Sequence, residues 1–208
     1  MVLKLLSSWG KNNSLSDQFI TYKLASLLAL TSAHRGAELK LLNVQRMDVE
    51  KDQVRFHFSK KFKTTKPGVS PNASVFHKFV DDPSLCPLLC LKVYLIRSQD
   101  WRTVDGKITR TDLFLSHQEP HQEVGKTTIS RWIKEVLHMA SIDTKTFTGH
   151  SYRHASSSKA CYAGLPIQGV LKQGNWSNRS TFERFYHQPI ESGTSKFQRA
   201  VLTTKGKK

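Results

Sequence analysis

"LLALTSAHRGAELKLLNV", residues 27–44, is the stretch on which the fold turns. Its first half closes a dense apolar run. Ser16 and Asp17 supply a helix start, and the helix runs through "QFITYKLASLLALTSA". Phe19, Tyr22, Leu24, Leu27, Leu28 and Leu30 crowd it enough to make it a buried helix. The polar "HRG" interrupts the run, and the chain should re-enter helix at about Ala37–Leu42.

Downstream the period changes from helical to alternating. "VQRMDVE", "QVRFHFS" and "SVFHKFV" are short β-branched or aromatic runs, separated by Lys51-Asp52 and by "KTTKPGVSPN". They predict a small three-stranded antiparallel sheet with a long basic second connection. Helices follow in "PLLCLKVYLIRSQ", after Pro87, and in "GKTTISRWIKEVLHMASI", where Thr127 or Thr128 caps an Ile129/Trp132/Ile133/Val136/Leu137 stripe. "GKITRTDLFLSH" holds a brief apolar run and "EPHQEVG" is loop. "GHSYRHASSSKACYAGL" and "IQGVLKQG" read as two helices divided at Leu165-Pro166, and "TFERFYHQPI" as a last short one stopped by Pro189. The fold class is mainly α with one small sheet (α+β). Residues 1–15 read as a short lead-in, 16–202 as one domain, and 203–208, "TTKGKK" at their core, as a basic disordered tail.

Composition narrows the partners. Among 208 residues, Lys and Arg number 32 against 16 for Asp and Glu, a formal charge of +16 spread along the whole chain. A folded, strongly cationic domain most often meets a polyanion, with nucleic acid the leading candidate and a ribosomal-type or merely soluble basic protein the alternative. Cys86, Cys90 and Cys161 are too few and too odd for a secreted disulfide framework. Cys86 and Cys90 lack a second ligand pair at zinc spacing and read as small buried residues. "MVLKLL" is too short for a signal peptide, and no run approaches the ~20 apolar residues of a membrane span.

Three islands then fall into one pattern. "LLALTSAHRGAELKLLNV" carries an arginine and a glutamate after a helix, "HSYRHA" a His-x-x-Arg, and "GNWSN" a tryptophan followed by a tyrosine. In this order, with the sheet between, they resemble the catalytic domain of tyrosine recombinases, the phage-integrase family, from about Leu24 to Leu202. "CPLLCLKVYLIRS", "TTISRWIKEVL" and "STFERFYHQPI" also resemble recombinases of eukaryotic mobile elements, including tyrosine-recombinase retrotransposons.

The resemblance implies site-specific cleavage and rejoining of double-stranded DNA through a 3′-phosphotyrosyl intermediate, with no metal and no small-molecule cofactor. It implies a homo-oligomer on DNA, a tetramer, and no membrane. The place of work is the nucleus for a eukaryotic mobile element and otherwise the cytoplasm. Arg35 and Arg153 would hold the non-bridging oxygens, which planar guanidinium forks suit better than point charges. His150, one helical turn before Arg153, would take the tyrosine proton or bond the phosphate; a tyrosine pKa of about 10 calls for such help. His154 faces elsewhere and reads as structural. Trp176 stands where the family has His or Trp and would donate its indole N–H; a core tryptophan is the alternative. Glu38 would orient Arg35. The family's general-acid lysine lies in the second sheet connection, where Lys60, Lys61, Lys63 and Lys66 compete and Lys63 best fits the tip.

The nucleophile position needs care. The family's usual nine-residue step from Trp176 reaches Phe185, and Tyr186 lies one further. On a continuous helix that step turns a side chain by ~100°. A loop at "SNRS" absorbs it, and Tyr186 is the assigned nucleophile. Lys60, Lys61, Lys66, Arg131, Lys134, Arg179 and Arg184 are candidate DNA contacts. The family's separate N-terminal DNA-clamping domain is not expected within these residues. Three other readings stay open: a non-catalytic DNA-binding module of the same fold, a type IB topoisomerase, and a basic RNA- or protein-binding scaffold.

Overall fold

The computed structural model describes residues 1–58, 73–174, 176, 179, 180 and 182. Helix α1 (Val2–Ser8) comes first, then a 3-10 turn at Asn12–Ser14. The lead-in is thus more structured than its sequence indicates. Seven residues cannot hold a helix alone, but Leu6 is fully buried and Ser7 Oγ donates to Asp82 Oδ2 at 3.0 Å. Tertiary contacts make this helix.

Helix α2 (Asp17–Ser32) is the hub. Ser16 caps it, accepting from the Phe19 N–H at 3.3 Å, and every residue from Ile20 to Ala29 is buried. Even Lys23 is enclosed: its ammonium donates to the Gly10 carbonyl at 3.2 Å, and burial lowers its pKa. The helix ends at Ala33, whose φ of 55° is left-handed. A non-glycine residue there costs about 1–2 kcal/mol, and the turn that follows uses the change of direction. Helix α3 (Gly36–Leu39) is shorter than the Ala37–Leu42 segment expected and starts one residue earlier. Lys40 makes the last α-type bond, to the Gly36 carbonyl, and Leu41 and Leu42 tighten to i→i−3 pairing.

The sheet is as expected in number and order. Strands β1 (Met47–Val49), β2 (Gln53–Phe56) and β3 (Ser74–His77) pair antiparallel, with Met47 opposite Phe56 and Val54 opposite Phe76. Alternation puts Val54, Phe56 and Phe76 on the core face. The connection between β2 and β3, with its lysines, lies outside the described residues.

Helix α4 (Pro87–Arg97) starts on its proline and buries Cys90, Leu91 and Tyr94 against α2. Cys86 is also fully buried, and burial pushes the Cys90 thiol up to about 12. Helix α5 (Gln99–Arg102) leads into an unanticipated hairpin of β4 (Thr103–Val104) and β5 (Lys107–Ile108). Buried Arg102 holds the next segment by donating to the Asp112 and Leu113 carbonyls, both at 2.6 Å.

Helix α6 (Lys126–Met139) buries its whole Ile129/Trp132/Ile133/Val136/Leu137 stripe. Its cap is Gly125 rather than Thr127 or Thr128. The backbone sets this boundary: Val124 still bonds to Phe114 across a loop, and the helix begins as soon as that pairing ends. Helices α7 (Ser151–Tyr162) and α8 (Ile167–Gln173) follow, on either side of Pro166. Arg179, Ser180 and Phe182 are helical, so "SNRS" is not the loop expected there: Arg179 and Ser180 already have helical backbone. The other residues of the expected terminal helix and the tail fall outside the described residues. Helices α4, α6 and α7 and strand β3 all pack on α2. Among the described residues no helix is long and apolar enough to cross a membrane.

Candidate active site

The site is built where α2 stops. The left-handed Ala33 swings the chain so that Arg35 precedes α3, and the Arg35 N–H donates to Glu38 Oε2 at 2.8 Å. Gly36 lets α6 approach this turn. A Cβ there would lie 2.5 Å from Ser130 Oγ and 2.9 Å from the Lys126 carbonyl. Gly149 sits on the other side of the same serine, its would-be Cβ 3.4 Å from the Ser130 carbonyl. Ser130 of α6 therefore spaces the arginine turn from the start of α7.

Helix α7 then delivers His150 and Arg153 one turn apart, with the Arg153 N–H bonded to the His150 carbonyl at 3.1 Å. Arg153 is 1% exposed. Its Nη1 donates to the Ala33 carbonyl at 2.6 Å and lies 3.6 Å from Glu38 Oε2. Arg35 Nη1 lies 3.7 Å from Glu38 Oε1, with its side chain one-third exposed. One buried carboxylate thus sits between two guanidinium groups that are 118 positions apart in sequence. Burial alone would raise the Glu38 pKa. The neighbouring His34, the Arg35 N–H and the Arg153 charge overcome this and hold it below the usual carboxylate range.

His150 is exposed. Its pKa is lowered, first by the protein packed around the ring and then by the charges of Arg35 and Arg153; Glu38 opposes them. The ring is therefore neutral at pH 7 and can accept a proton. His154, half-buried on α7, is lowered too, by burial and by the neighbouring His150 and Arg153.

Trp176 closes the cluster. Gln173 at the end of α8 donates to the Thr31 carbonyl at 3.3 Å, anchoring that helix beside the end of α2. The Trp176 backbone N–H donates to the Leu171 carbonyl at 2.9 Å, and the indole lies under Arg153, its ring centre 3.5 Å from the guanidinium carbon. Phe182 buttresses the indole edge-on at 4.9 Å. Gly174 is required here, because a Cβ on it would fall within 1.7 Å of the indole. From the sequence, Trp176 is expected to act through its N–H; the structure adds a cation–π platform for Arg153.

The structure thus brings together Arg35, Glu38, His150, Arg153 and Trp176. Arg131 and Lys134 lie exposed on α6, and Arg179 is exposed beyond Trp176. Lys60, Lys61, Lys63, Lys66, Arg184 and Tyr186 lie outside the described residues. Two neighbours were not legible beforehand. Ser130 carries no signal, since only the close approach of two glycines gives it meaning. His34 adjoins Arg35 in "AHRG", but besides Glu38 its contacts, Phe58 and Ser74, lie well along the chain. An apolar cavity of about 610 Å³ lies elsewhere, between α2, β3 and α8, and none of the five clustered residues lines it.

Comparison with known proteins bears on the fold. The crystal structure of XerA recombinase is similar at 19% identity and a TM-score of 0.60, over 90% of this chain and 62% of that one. XerH recombinase, in a pre-cleavage complex with its difH substrate, is similar at 12% identity and a TM-score of 0.64, over 97% of this chain and 50% of that one. The Tn1549 transposon integrase, in complex with circular-intermediate DNA, is similar at 16% identity and a TM-score of 0.54, over 89% of this chain and 58% of that one. The fold is that of tyrosine recombinase catalytic domains. Residues 9–191 match the family described as the phage integrase family, and the chain belongs to it. No curated protein matches the chain. The chain spans between half and about three-fifths of the solved recombinases' length.

Proposed function

We propose that the chain carries the catalytic domain of a site-specific DNA recombinase or integrase that breaks and rejoins strands through a phosphotyrosyl bond. The observation that carries the reading is the convergence of Arg35 and Arg153 on Glu38, with neutral His150 beside them and Trp176 against Arg153. Two fixed guanidinium groups suit the charge that grows on the non-bridging oxygens of a phosphodiester under attack. Tyr186 Oη would attack phosphorus and pass its proton to His150. The P–O5′ bond would break, with a lysine of the basic connection, Lys63 first, protonating the departing oxygen. Reversal by a 5′-hydroxyl restores the DNA backbone, so the phosphodiester energy is conserved in the covalent link.

Duplex DNA is the proposed partner, held by Lys60, Lys61, Lys66, Arg131, Lys134, Arg179 and Arg184, with a homo-oligomer assembled on it. The charge of +16 favours binding that weakens steeply with salt. A mobile element is the proposed setting, with the nucleus as the place of work if its host is eukaryotic.

A nicked DNA that loses its 5′-hydroxyl fragment on cleavage traps the intermediate. The expected result is a covalent protein–DNA adduct that Tyr186→Phe abolishes. Binding without any adduct would instead leave a DNA-binding module of this fold, the reading that the one-residue shift of Tyr186 favours. An adduct that persists in Tyr186→Phe would move the nucleophile to another residue.

A further inference from the structure

The turn between α2 and α3 holds a buried histidine that the proposed reaction does not use. His34 is 3% exposed, and its imidazole has a neighbour in each of three directions. Nε2 is hydrogen-bonded to Ser74 Oγ at the start of β3. Nδ1 is 3.4 Å from Glu38 Oε2, the oxygen that accepts the Arg35 N–H and faces Arg153. The ring meets Phe58 edge-on, with centroids 6.1 Å apart. Phe58 and Ser74 flank residues 59–72, so His34 touches both stems of the basic connection.

The chemistry of imidazole fits this place. Its two nitrogens point from opposite edges of a rigid ring and can serve two partners at once. Glu38 only accepts, so Nδ1 faces an acceptor, while the Ser74 hydroxyl at Nε2 can either donate or accept. A leucine of similar bulk would fill the space and lose both links.

We infer that His34 is a positioning residue: it ties Glu38, and through Glu38 both arginines, to the stems of the β2–β3 connection. This rests on the phosphodiester reading above. His34 and Ser74 are 40 positions apart, and their hydrogen bond joins the arginine turn directly to the strand that follows the lysines. The groups that hold the phosphate and the start of β3 would then keep a fixed spacing.

The test measures single-turnover cleavage of the nicked DNA and, separately, affinity for an intact duplex. His34→Leu is expected to slow cleavage by about tenfold to a hundredfold, the scale of a misplaced catalytic group. Affinity should stay within about threefold, because uniform binding is not what is lost. His34→Asn, whose amide nitrogen lies near the place of Nδ1, is expected to recover part of the rate. A folded His34→Leu protein that cleaves at the unaltered rate would overturn the role. So would cleavage and affinity that fall in step, with no recovery by Asn. If His34→Leu does not fold, Ser74→Ala decides: a several-fold slower rate supports the link, and an unchanged rate removes it. No adduct from the unaltered protein overturns the reaction itself, which is distinct from an adduct that His34→Leu leaves untouched.

Discussion

Arg153 and Trp176 lie in van der Waals contact, guanidinium carbon over indole ring, at 3.5 Å. A platform of this kind restricts a guanidinium to one plane and strengthens as water is excluded, contributing about 0.5–2 kcal/mol. Trp176→Ala should therefore slow cleavage roughly two- to thirtyfold. Trp176→Phe keeps an aromatic face and should retain most of the rate if the platform matters more than the indole N–H. Single-turnover rates for both variants separate the two functions.

Glu38 is 4% exposed and lies beside two arginines. Glu38→Gln leaves Arg153 buried without its counter-charge, and the expected loss is about 3–5 kcal/mol in urea unfolding at pH 7. The sign of the pH dependence follows from the lowered pKa. The folded protein binds the Glu38 proton less readily than the unfolded chain does, so this stabilisation is present above the ordinary carboxylate range. It is lost as pH falls through the lowered value. The difference between Glu38→Gln and the unaltered protein should shrink as that happens.

His150 should titrate below the ordinary histidine range, visible as a depressed midpoint for its ring proton by NMR. The folded pKa is lowered, so the unfolded chain takes up the proton first, and the neutral ring's share of stability is lost on acidification. Cleavage should follow the same group, falling as His150 becomes charged. Arg35→Gln removes one of the depressing charges and should move the NMR midpoint upward. An unmoved midpoint would separate Arg35 from His150.

Gly36 is tested by bulk rather than charge. Gly36→Ala drives a methyl group against Ser130 Oγ and the Lys126 carbonyl, and overpacking of this kind costs about 1–3 kcal/mol. Adding Ser130→Ala removes the hydroxyl but leaves the carbonyl, so thermal unfolding should show partial recovery.

Much of this was legible in the sequence for identifiable reasons. The α2 helix and the α6 stripe announce themselves through dense or 3.6-periodic apolar residues, and the three strands through alternation. Arg35, His150 and Arg153 could be singled out because the motifs that carry them resemble, in order, those of the recombinase family. What escaped depends on tertiary context. Helix α1 needs Leu6 in the core, and the β4–β5 hairpin has only two residues per strand. The start of α6 was set by a loop pairing rather than by a threonine cap. The contact of Trp176 with Arg153 and the bond of His34 to Ser74 join residues 23 and 40 positions apart, beyond the reach of any local pattern.

The bond from Arg153 to the Ala33 carbonyl has a consequence for the moment of encounter with DNA. Fixing a free arginine side chain costs about 2 kcal/mol of rotamer entropy. Here the backbone turn at Ala33 and the Glu38 carboxylate already immobilise it, so that ordering belongs to the folding of the polypeptide. An arriving phosphate meets a receptor whose shape predates it. Its binding should then be governed by shedding water and counterions, with little waiting for the protein to rearrange.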